Sequence, residues 1–142
     1  MPSANASPET EQPQELEIRS VLLLEDDVEL ALSLKALLEM RDFMVTTVSN
    51  GAEGLREVLA FDFDAIICDM MMPKMPGDMF YVAVSRAKPH LCRRFIFITG
   101  HGGDPRVAEF IEKVHGTVLN KPIATDDLVR TIERVTRNAE ER

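Results

Sequence analysis

Several features are scarce in this sequence, and each absence removes a class of protein. Its two cysteines, Cys68 and Cys92, lie far apart and form no CxxC pair, which excludes a disulfide framework and a cysteine-rich zinc site. No apolar run approaches the roughly 18–20 residues of a membrane span. The first 14 residues lack the basic and apolar regions of a secretory signal. We therefore expect a cytoplasmic protein.

Basic charge is also in deficit. The chain has 16 Lys and Arg against 24 Asp and Glu, a net charge of −8. Direct binding to nucleic acid or to an anionic membrane needs a basic surface, so the sequence argues against both. With 142 residues, of which 45% are hydrophobic, the chain has room for one domain with a sizeable core.

The beginning of the chain differs in composition from the rest. Residues 1–17 contain three prolines and four glutamates, no basic residue and almost no large apolar side chain. Such a segment cannot bury enough surface to offset the entropy lost on ordering. We expect a flexible acidic tail over residues 1–17 and one folded domain over residues 18–142.

Within that domain, short apolar or β-branched runs alternate with apolar residues at helical spacing. The runs predict strands at residues 21–24, 43–48, 65–68, 95–98 and 117–120, with a helix after each. Strands that alternate with helices indicate a parallel sheet, and continuously apolar strands indicate burial on both faces. The predicted fold class is α/β, a doubly wound five-stranded parallel sheet with helices on both faces.

Polar residues follow four of these strands at the carboxyl end. They are Glu25, Asp26 and Asp27 after the first, Asp69 after the third, Thr99 after the fourth and Lys121 after the fifth. In open α/β sheets the functional site lies at the carboxyl edge, so we expect these side chains to converge.

This set of side chains suits phosphoryl chemistry. Neighbouring carboxylates repel one another unless a cation neutralises them, and hard oxygen ligands suit Mg²⁺. Asp69 can act as a nucleophile toward phosphorus and form an aspartyl phosphate. Lys121 supplies an ammonium group and Thr99 a hydroxyl to stabilise phosphoryl oxygens. No serine–histidine triad can be assembled from these residues.

With these motifs the chain resembles the response-regulator receiver domains of two-component signalling. The matching pieces are Leu-Leu-Glu25-Asp26-Asp27, Ile-Ile-Cys-Asp69, Met72-Pro73-x-Met75-x-Gly77, Ile98-Thr99 and Lys121-Pro122. The resemblance covers about residues 20–137. It implies a flavodoxin-like sheet with strand order 2-1-3-4-5.

The resemblance also implies a role for each site residue. Asp69 would accept a phosphoryl group from a histidine kinase or a histidine phosphotransfer protein. Asp26, Asp27 and Asp69 would hold Mg²⁺, together with the backbone carbonyl of Met71. Lys121, followed by a cis bond to its proline, would contact the phosphoryl group, and Thr99 would move toward it on activation.

Some positions depart from the family pattern or have more than one interpretation. Val118 stands where many receivers have Tyr or Phe, so the response that couples Thr99 to that aromatic is not expected here. Of the three consecutive methionines, we expect Met70 and Met72 to pack and Met71 to face the cleft. His101 lies in a glycine loop, where we expect a solvated side chain. Its position also suggests the hypothesis that it affects the lifetime of the phosphoryl group.

The resulting prediction is a phosphorylation-controlled switch, not an enzyme. Little sequence follows the last helix, so we expect a stand-alone regulator that binds a downstream protein target, with a homodimer through the fourth-helix to fifth-helix face as a further prediction. The alternative is a receiver segment of a hybrid histidine kinase or phosphorelay.

Two other classes of protein are less favoured by the sequence. A phosphohydrolase with an Asp nucleophile needs a second acid at the position of Met71. A flavin carrier needs a phosphate loop where the acidic run stands.

Overall fold

The apolar runs of the sequence form the strands of a central sheet. A computed structural model describes residues 18–72, 74–100 and 104–140. The strands are β1 (Arg19–Leu24), β2 (Phe43–Val48), β3 (Ala65–Asp69), β4 (Phe95–Thr99) and β5 (Thr117–Asn120). The helices are α1 (Val28–Glu39), α2 (Gly51–Ala60), α3 (Gly77–Ala87), α4 (Pro105–Val114) and α5 (Thr125–Glu140), and a 3₁₀ helix (Pro89–Arg94) precedes β4. The acidic segment at residues 1–17 and His101 lie outside the described residues.

All five strands are parallel, and their order across the sheet is β2-β1-β3-β4-β5. The predicted fold class and strand order are confirmed. β2 is added to one side of β1, and β3 is added to the other side. The order in which strands are added to the sheet therefore reverses between β1 and β3. Such a switch point opens a crevice at the carboxyl ends of the strands.

Helices cover both faces of the sheet with separate apolar layers. Val21, Leu23 and Ile67 point to the layer that includes α1 and α5, whereas Leu22 and Ile66 point to the layer that includes α2 and α3. Successive residues of a strand face opposite sides, so a strand buried on both sides must be apolar at every position. A fully buried Leu or Ile contributes about 1.5–3 kcal/mol, so these runs dominate the stability of the domain.

A tight contact positions the loop between β3 and α3. Gly77 begins α3, and a Cβ atom there would lie 2.9 Å from the backbone oxygen of Asp69 and 3.0 Å from the Cα of Met70. The Gly77 amide also donates to the carbonyl of Met70 at 3.3 Å. A glycine is therefore required for the start of α3 to pack directly against the end of β3.

None of the helices in the described part of the chain is long and apolar enough to cross a membrane.

Candidate functional site

The carboxyl ends of the strands bring the predicted residues together. Asp69 is the last residue of β3 and Thr99 the last of β4, and both are buried, with 3% and 5% of their surface exposed. Lys121 directly follows β5, and its Nζ lies 3.2 Å from Oδ2 of Asp69. The expected convergence of these side chains is therefore present.

Asp69 is held by hydrogen bonds to both carboxylate oxygens. The backbone N–H of Met71 donates to Oδ1 at 3.0 Å, and the Lys121 ammonium donates to Oδ2. The N–H of Met70 donates to the carbonyl of Ile98 at 3.0 Å, which continues the β3–β4 ladder beyond Asp69. The backbone thus fixes one oxygen, whereas a movable side chain holds the other.

Glu25 is a second buried acid beside Asp69, with only 2% of its surface exposed. Its N–H donates to the carbonyl of Val48 at 3.0 Å, so Glu25 still belongs to the ladder between β1 and β2. Its Oε2 accepts from the backbone N–H of Asp27 at 3.1 Å, and its Oε1 lies 3.1 Å from the Nζ of Lys121. Lys121 therefore pairs with Glu25 and Asp69 at once.

The acidic cluster differs from the predicted one in one member. Oxygens of Glu25, Asp26 and Asp69 lie within 4.8 Å of one another, and among the described residues this is the group suited to a metal ion. Asp27 is absent from it; its Oδ1 instead accepts from the N–H of Leu30 at 3.2 Å and caps α1. The structure thus places Glu25, not Asp27, beside Asp26 and Asp69.

A signal in the sequence could have separated the two acids. An Asp that directly precedes an apolar helical pattern is a preferred N-cap, because its oxygen accepts from an unpaired N–H of the first turn. Asp27 meets this condition. Glu25 has the longer side chain and directly follows the strand, so it is the acid that can reach back across the edge of the sheet.

The pKa values of two groups in the site are raised, that of Glu25 mainly by burial and that of Lys121 by neighbouring charges. Burial raises the pKa of the Glu25 carboxyl; the hydrogen bond from Asp27 opposes this shift and the charge of Asp69 adds to it. Burial by itself lowers the pKa of the Lys121 ammonium, but the neighbouring carboxylates of Glu25 and Asp69 outweigh it and raise that pKa. Lys121 therefore stays positively charged at neutral pH.

The donor set fits a hard divalent cation such as Mg²⁺. Oε1 of Glu25 is a buried acceptor that receives no hydrogen bond of good geometry within the described ranges, although Lys121 lies near it. A buried carboxylate oxygen without a hydrogen bond is costly unless a cation satisfies it. With Asp26 and Asp69 it forms an all-oxygen cluster, which suits Mg²⁺ better than a soft metal.

The three consecutive methionines divide as expected. Met70 and Met72 are buried, whereas 60% of Met71 is exposed beside the acidic cluster. The geometry does not test the role of the Met71 carbonyl as a ligand, which stays a prediction.

Thr99 has a partner that the sequence did not suggest. Its Oγ1 donates to Oδ1 of Asn120 at 2.8 Å. No motif singled out Asn120, because only the pairing of β4 with β5 places it opposite Thr99. Two further expectations concern the same region: the bond between Lys121 and Pro122 is cis, as predicted, and Val118 is 39% exposed on β5.

Comparison with known proteins identifies the family to which this chain belongs. The model of the response regulator receiver domain matches residues 21–133, so the chain is a member of the response-regulator receiver family. The site described above occupies the carboxyl edge of that domain.

Three relatives illustrate the similarity. The C4-dicarboxylate transport transcriptional regulatory protein DctD of Rhizobium meliloti is 31% identical over 115 residues, which are 81% of this chain and 25% of DctD. The response regulator receiver protein CpdR of Brucella abortus is 29% identical over 118 residues, 83% of this chain and 97% of CpdR. A response regulator receiver domain from Clostridium thermocellum has a crystal structure that superposes with a TM-score of 0.78 at 29% identity, covering 87% of this chain and 98% of that one.

These relatives differ in length. The chain spans about a quarter of the first curated relatives that it matches, but nearly all of CpdR. Receiver domains thus occur in this family both as parts of longer regulators and nearly alone.

Proposed function

We propose that this receiver domain is a switch controlled by phosphorylation of Asp69, with a histidine kinase or a histidine phosphotransfer protein as the donor. The observation that carries the proposal is the environment of Asp69. A buried carboxylate ends a central strand, a lysine ammonium lies 3.2 Å from one of its oxygens, and two further acids adjoin it. An arrangement that only stabilised the fold would not need to bury two carboxylates together.

The transfer is a displacement at phosphorus. A carboxylate oxygen of Asp69 forms a bond to phosphorus while the bond between phosphorus and the donor's imidazole nitrogen breaks, and the imidazole leaves with the electron pair of that bond. Oδ2 is the candidate nucleophile, because its partner is the movable side chain of Lys121, whereas the backbone of Met71 holds Oδ1. After transfer, Lys121 can pair with a phosphoryl oxygen.

The residues that would hold Mg²⁺ are Glu25, Asp26 and Asp69, with the carbonyl of Met71 as a further ligand. When bound, the ion supplies positive charge that offsets the phosphoryl oxygens during transfer. Lys121 supplies a further positive charge beside Glu25 and Asp69, the two buried acids.

A small phosphodonor tests the proposal without knowledge of the natural kinase. Incubation with acetyl phosphate and Mg²⁺ should add one phosphoryl group, which hydroxylamine should remove because it is an acyl phosphate. Asp69→Asn should abolish the adduct, since the amide is nearly isosteric but is not a nucleophile. Intact-protein mass spectrometry measures the adduct.

A matched control is available at the opposite edge of the sheet. Asp42 lies at the amino end of β2 with a φ of 71°, a conformation that Asn tolerates well, so Asp42→Asn should be labelled as the wild type is. If Asp69→Asn were labelled like the wild type, or if the wild type took no label with acetyl phosphate or phosphoramidate, Asp69 would not be the phosphoacceptor.

The output of the switch would be the binding of another protein. Receiver domains interact with kinases and effectors, and we infer that this one binds a downstream protein target when Asp69 is phosphorylated. The predicted homodimer through α4 and α5 belongs to the same proposal. Occurrence within a hybrid kinase or phosphorelay remains the alternative context for the same chemistry.

A further inference from the structure

The hydrogen bond between Thr99 and Asn120 joins the site to the edge strand of the sheet. The two residues are partners across the β4–β5 pair, and the backbone N–H of Lys121 donates to the carbonyl of Thr99 at 2.9 Å. The backbone therefore holds the strands together at this point. The bond from Thr99 Oγ1 to Asn120 Oδ1, at 2.8 Å, is additional to the pairing of the strands.

Both side chains line a cavity of about 250 Å³ between β5 and α4. The neighbouring walls are mostly apolar, formed by Val107, Ala108, Ile111 and Val118. A side chain at Val118 larger than Val would fill part of this cavity. Asn120 is exposed, whereas Thr99 is buried, so this hydrogen bond links a buried hydroxyl to a side chain at the surface.

We propose that Asn120 is a positioning residue that holds the Thr99 hydroxyl away from Asp69 in the unphosphorylated state. The inference rests on the proposed function of Asp69. A hydroxyl has one hydrogen, so Thr99 cannot donate to Asn120 and to a phosphoryl oxygen at Asp69 at the same time. Asn120 thereby opposes activation until the phosphoryl oxygens offer the stronger, charged acceptor.

The size of the effect follows from the strength of one neutral hydrogen bond. Its usual net contribution corresponds to a change of about fivefold in an equilibrium constant. Loss of the Asn120 acceptor should therefore favour the engaged position of Thr99 by about that factor. Loss of Asn120 should therefore strengthen the binding of a phosphoryl analogue. A variant that merely damaged the site would weaken that binding.

The first experiment measures the side chain of Thr99 in the unphosphorylated protein. Three-bond NMR couplings should show one χ1 rotamer in the wild type and averaging among rotamers in Asn120→Leu, which has similar size and no acceptor. Thr117→Val, on the same strand, should behave as the wild type. Averaging in the wild type, or an unchanged rotamer in Asn120→Leu, would overturn the inference. This result would not depend on whether Asp69 is the phosphoacceptor.

The second experiment titrates beryllofluoride with Mg²⁺ and follows the amide shifts of residues 99 and 100. Beryllofluoride stands in for the phosphoryl group on the carboxylate. Asn120→Leu should bind about fivefold more tightly than the wild type. Asn120→Asp, which keeps the acceptor, should bind no more tightly than the wild type.

A double-mutant cycle separates the hydrogen bond from a general change in the strand. In the Thr99→Val background, Asn120→Leu should have no effect on beryllofluoride binding, because the hydroxyl is gone. An effect of the same size in that background would show that Asn120 does not act through Thr99. If the wild type did not bind beryllofluoride at all, the proposed function would fail, while the rotamer measurement would still report on the contact.

Discussion

At the scale of single residues, Lys121 balances the charge of the site. Its Nζ lies 3.1 Å from Glu25 and 3.2 Å from Asp69, and both acids are almost completely buried. Two buried carboxylates side by side are unfavourable without a cation, and in the protein alone this ammonium supplies the nearest positive charge among the described residues. The same group is thus needed for stability and for the proposed chemistry.

Removal of that charge should destabilise the domain in a manner that depends on pH. Lys121→Met should lower the free energy of unfolding at neutral pH by about 1–3 kcal/mol, because Glu25 and Asp69 lose their partner. The pKa of Glu25 is already raised in the folded state and should rise further in the variant. Protonation of a group with a raised folded-state pKa stabilises the fold at low pH, and this gain is lost as pH rises through that pKa.

The loss in free energy of unfolding caused by Lys121→Met should therefore become smaller as the solution is acidified. Urea denaturation at several pH values, without added metal, measures it. Lys113→Met, on the exposed side of α4, is the control and should show no such trend. A deficit that is constant with pH would contradict the assignment of Lys121 as the partner of these acids.

Glu25 and Asp27 should respond to substitution in opposite ways. Glu25→Gln should weaken Mg²⁺ binding several-fold, because it removes a charged ligand from the cluster, and should change stability little or favourably. Asp27→Ala should leave Mg²⁺ affinity nearly unchanged but cost about 1 kcal/mol of stability, because α1 loses its N-cap.

Isothermal titration calorimetry with Mg²⁺ and thermal denaturation measure these two quantities in the same variants. Asp27→Asn is the matched control for the cap, since Asn also accepts from the first turn of a helix. A large loss of Mg²⁺ affinity in Asp27→Ala with none in Glu25→Gln would reverse the assignment of the two acids.

At the scale of elements, the placement of α3 decides the shape of the loop that follows Asp69. The helix begins at Gly77, where its backbone lies against the end of β3. Met70 is buried and Met71 is exposed as the chain leaves the strand, and the backbone N–H of Met71 donates to Oδ1 of Asp69. The site thus depends on close packing between a helix start and a strand end.

Gly77→Ala should disturb this packing. The added methyl group would meet backbone atoms that cannot move independently, so we expect a loss of about 1–3 kcal/mol in stability, with altered NMR shifts at Asp69. Gly100→Ala is the control, because among the described residues its Cβ would meet only the Cδ of Lys121, at 3.9 Å. Equal stability of Gly77→Ala and the wild type would show that the helix start can shift without cost.

At the scale of the whole molecule, we expect the two apolar layers and the sheet to unfold together. The reactivity of Cys68 can report on this unfolding, since Cys68 lies within β3 with none of its surface exposed. Burial also raises the pKa of its thiol strongly. Thiolates, not thiols, react with alkylating reagents, so Cys68 should be inert in the folded protein.

In a Cys92→Ser background, alkylation of Cys68 should therefore proceed only through global unfolding, with a rate that falls as the native state is stabilised. Mg²⁺ with beryllofluoride, added at 100 times its dissociation constant, should slow the reaction by about a hundredfold, because the ligand binds the folded state alone. Mass spectrometry follows the rate, and Asp69→Asn is the control that should show no protection. Rapid alkylation under native conditions would contradict a closed core around β3.

The sequence by itself determined the elements and most of the site. Its apolar runs predicted the central strands β1, β3 and β4, since strands buried on both faces cannot alternate. The edge strands β2 and β5 were predicted from β-branched and apolar residues, and the expectation that they too are buried on both faces was wrong, because both have exposed positions. The positions of Asp69, Thr99 and Lys121 followed from the rule that sites lie at the carboxyl edge. The strand order came from family resemblance, because periodicity carries no information on which strands are neighbours.

Only the tertiary structure decided which acid faces Asp69 and which residue holds Thr99. Glu25, Asp26 and Asp27 are consecutive. The helical pattern that follows could mark Asp27 as an N-cap, but it does not show which acid lies against Asp69. Which acid does so depends on the direction in which each side chain leaves the end of β1 and on the cap that α1 requires. Asn120 meets Thr99 because β5 pairs with β4 in one register, a contact between residues 21 positions apart that is formed by packing.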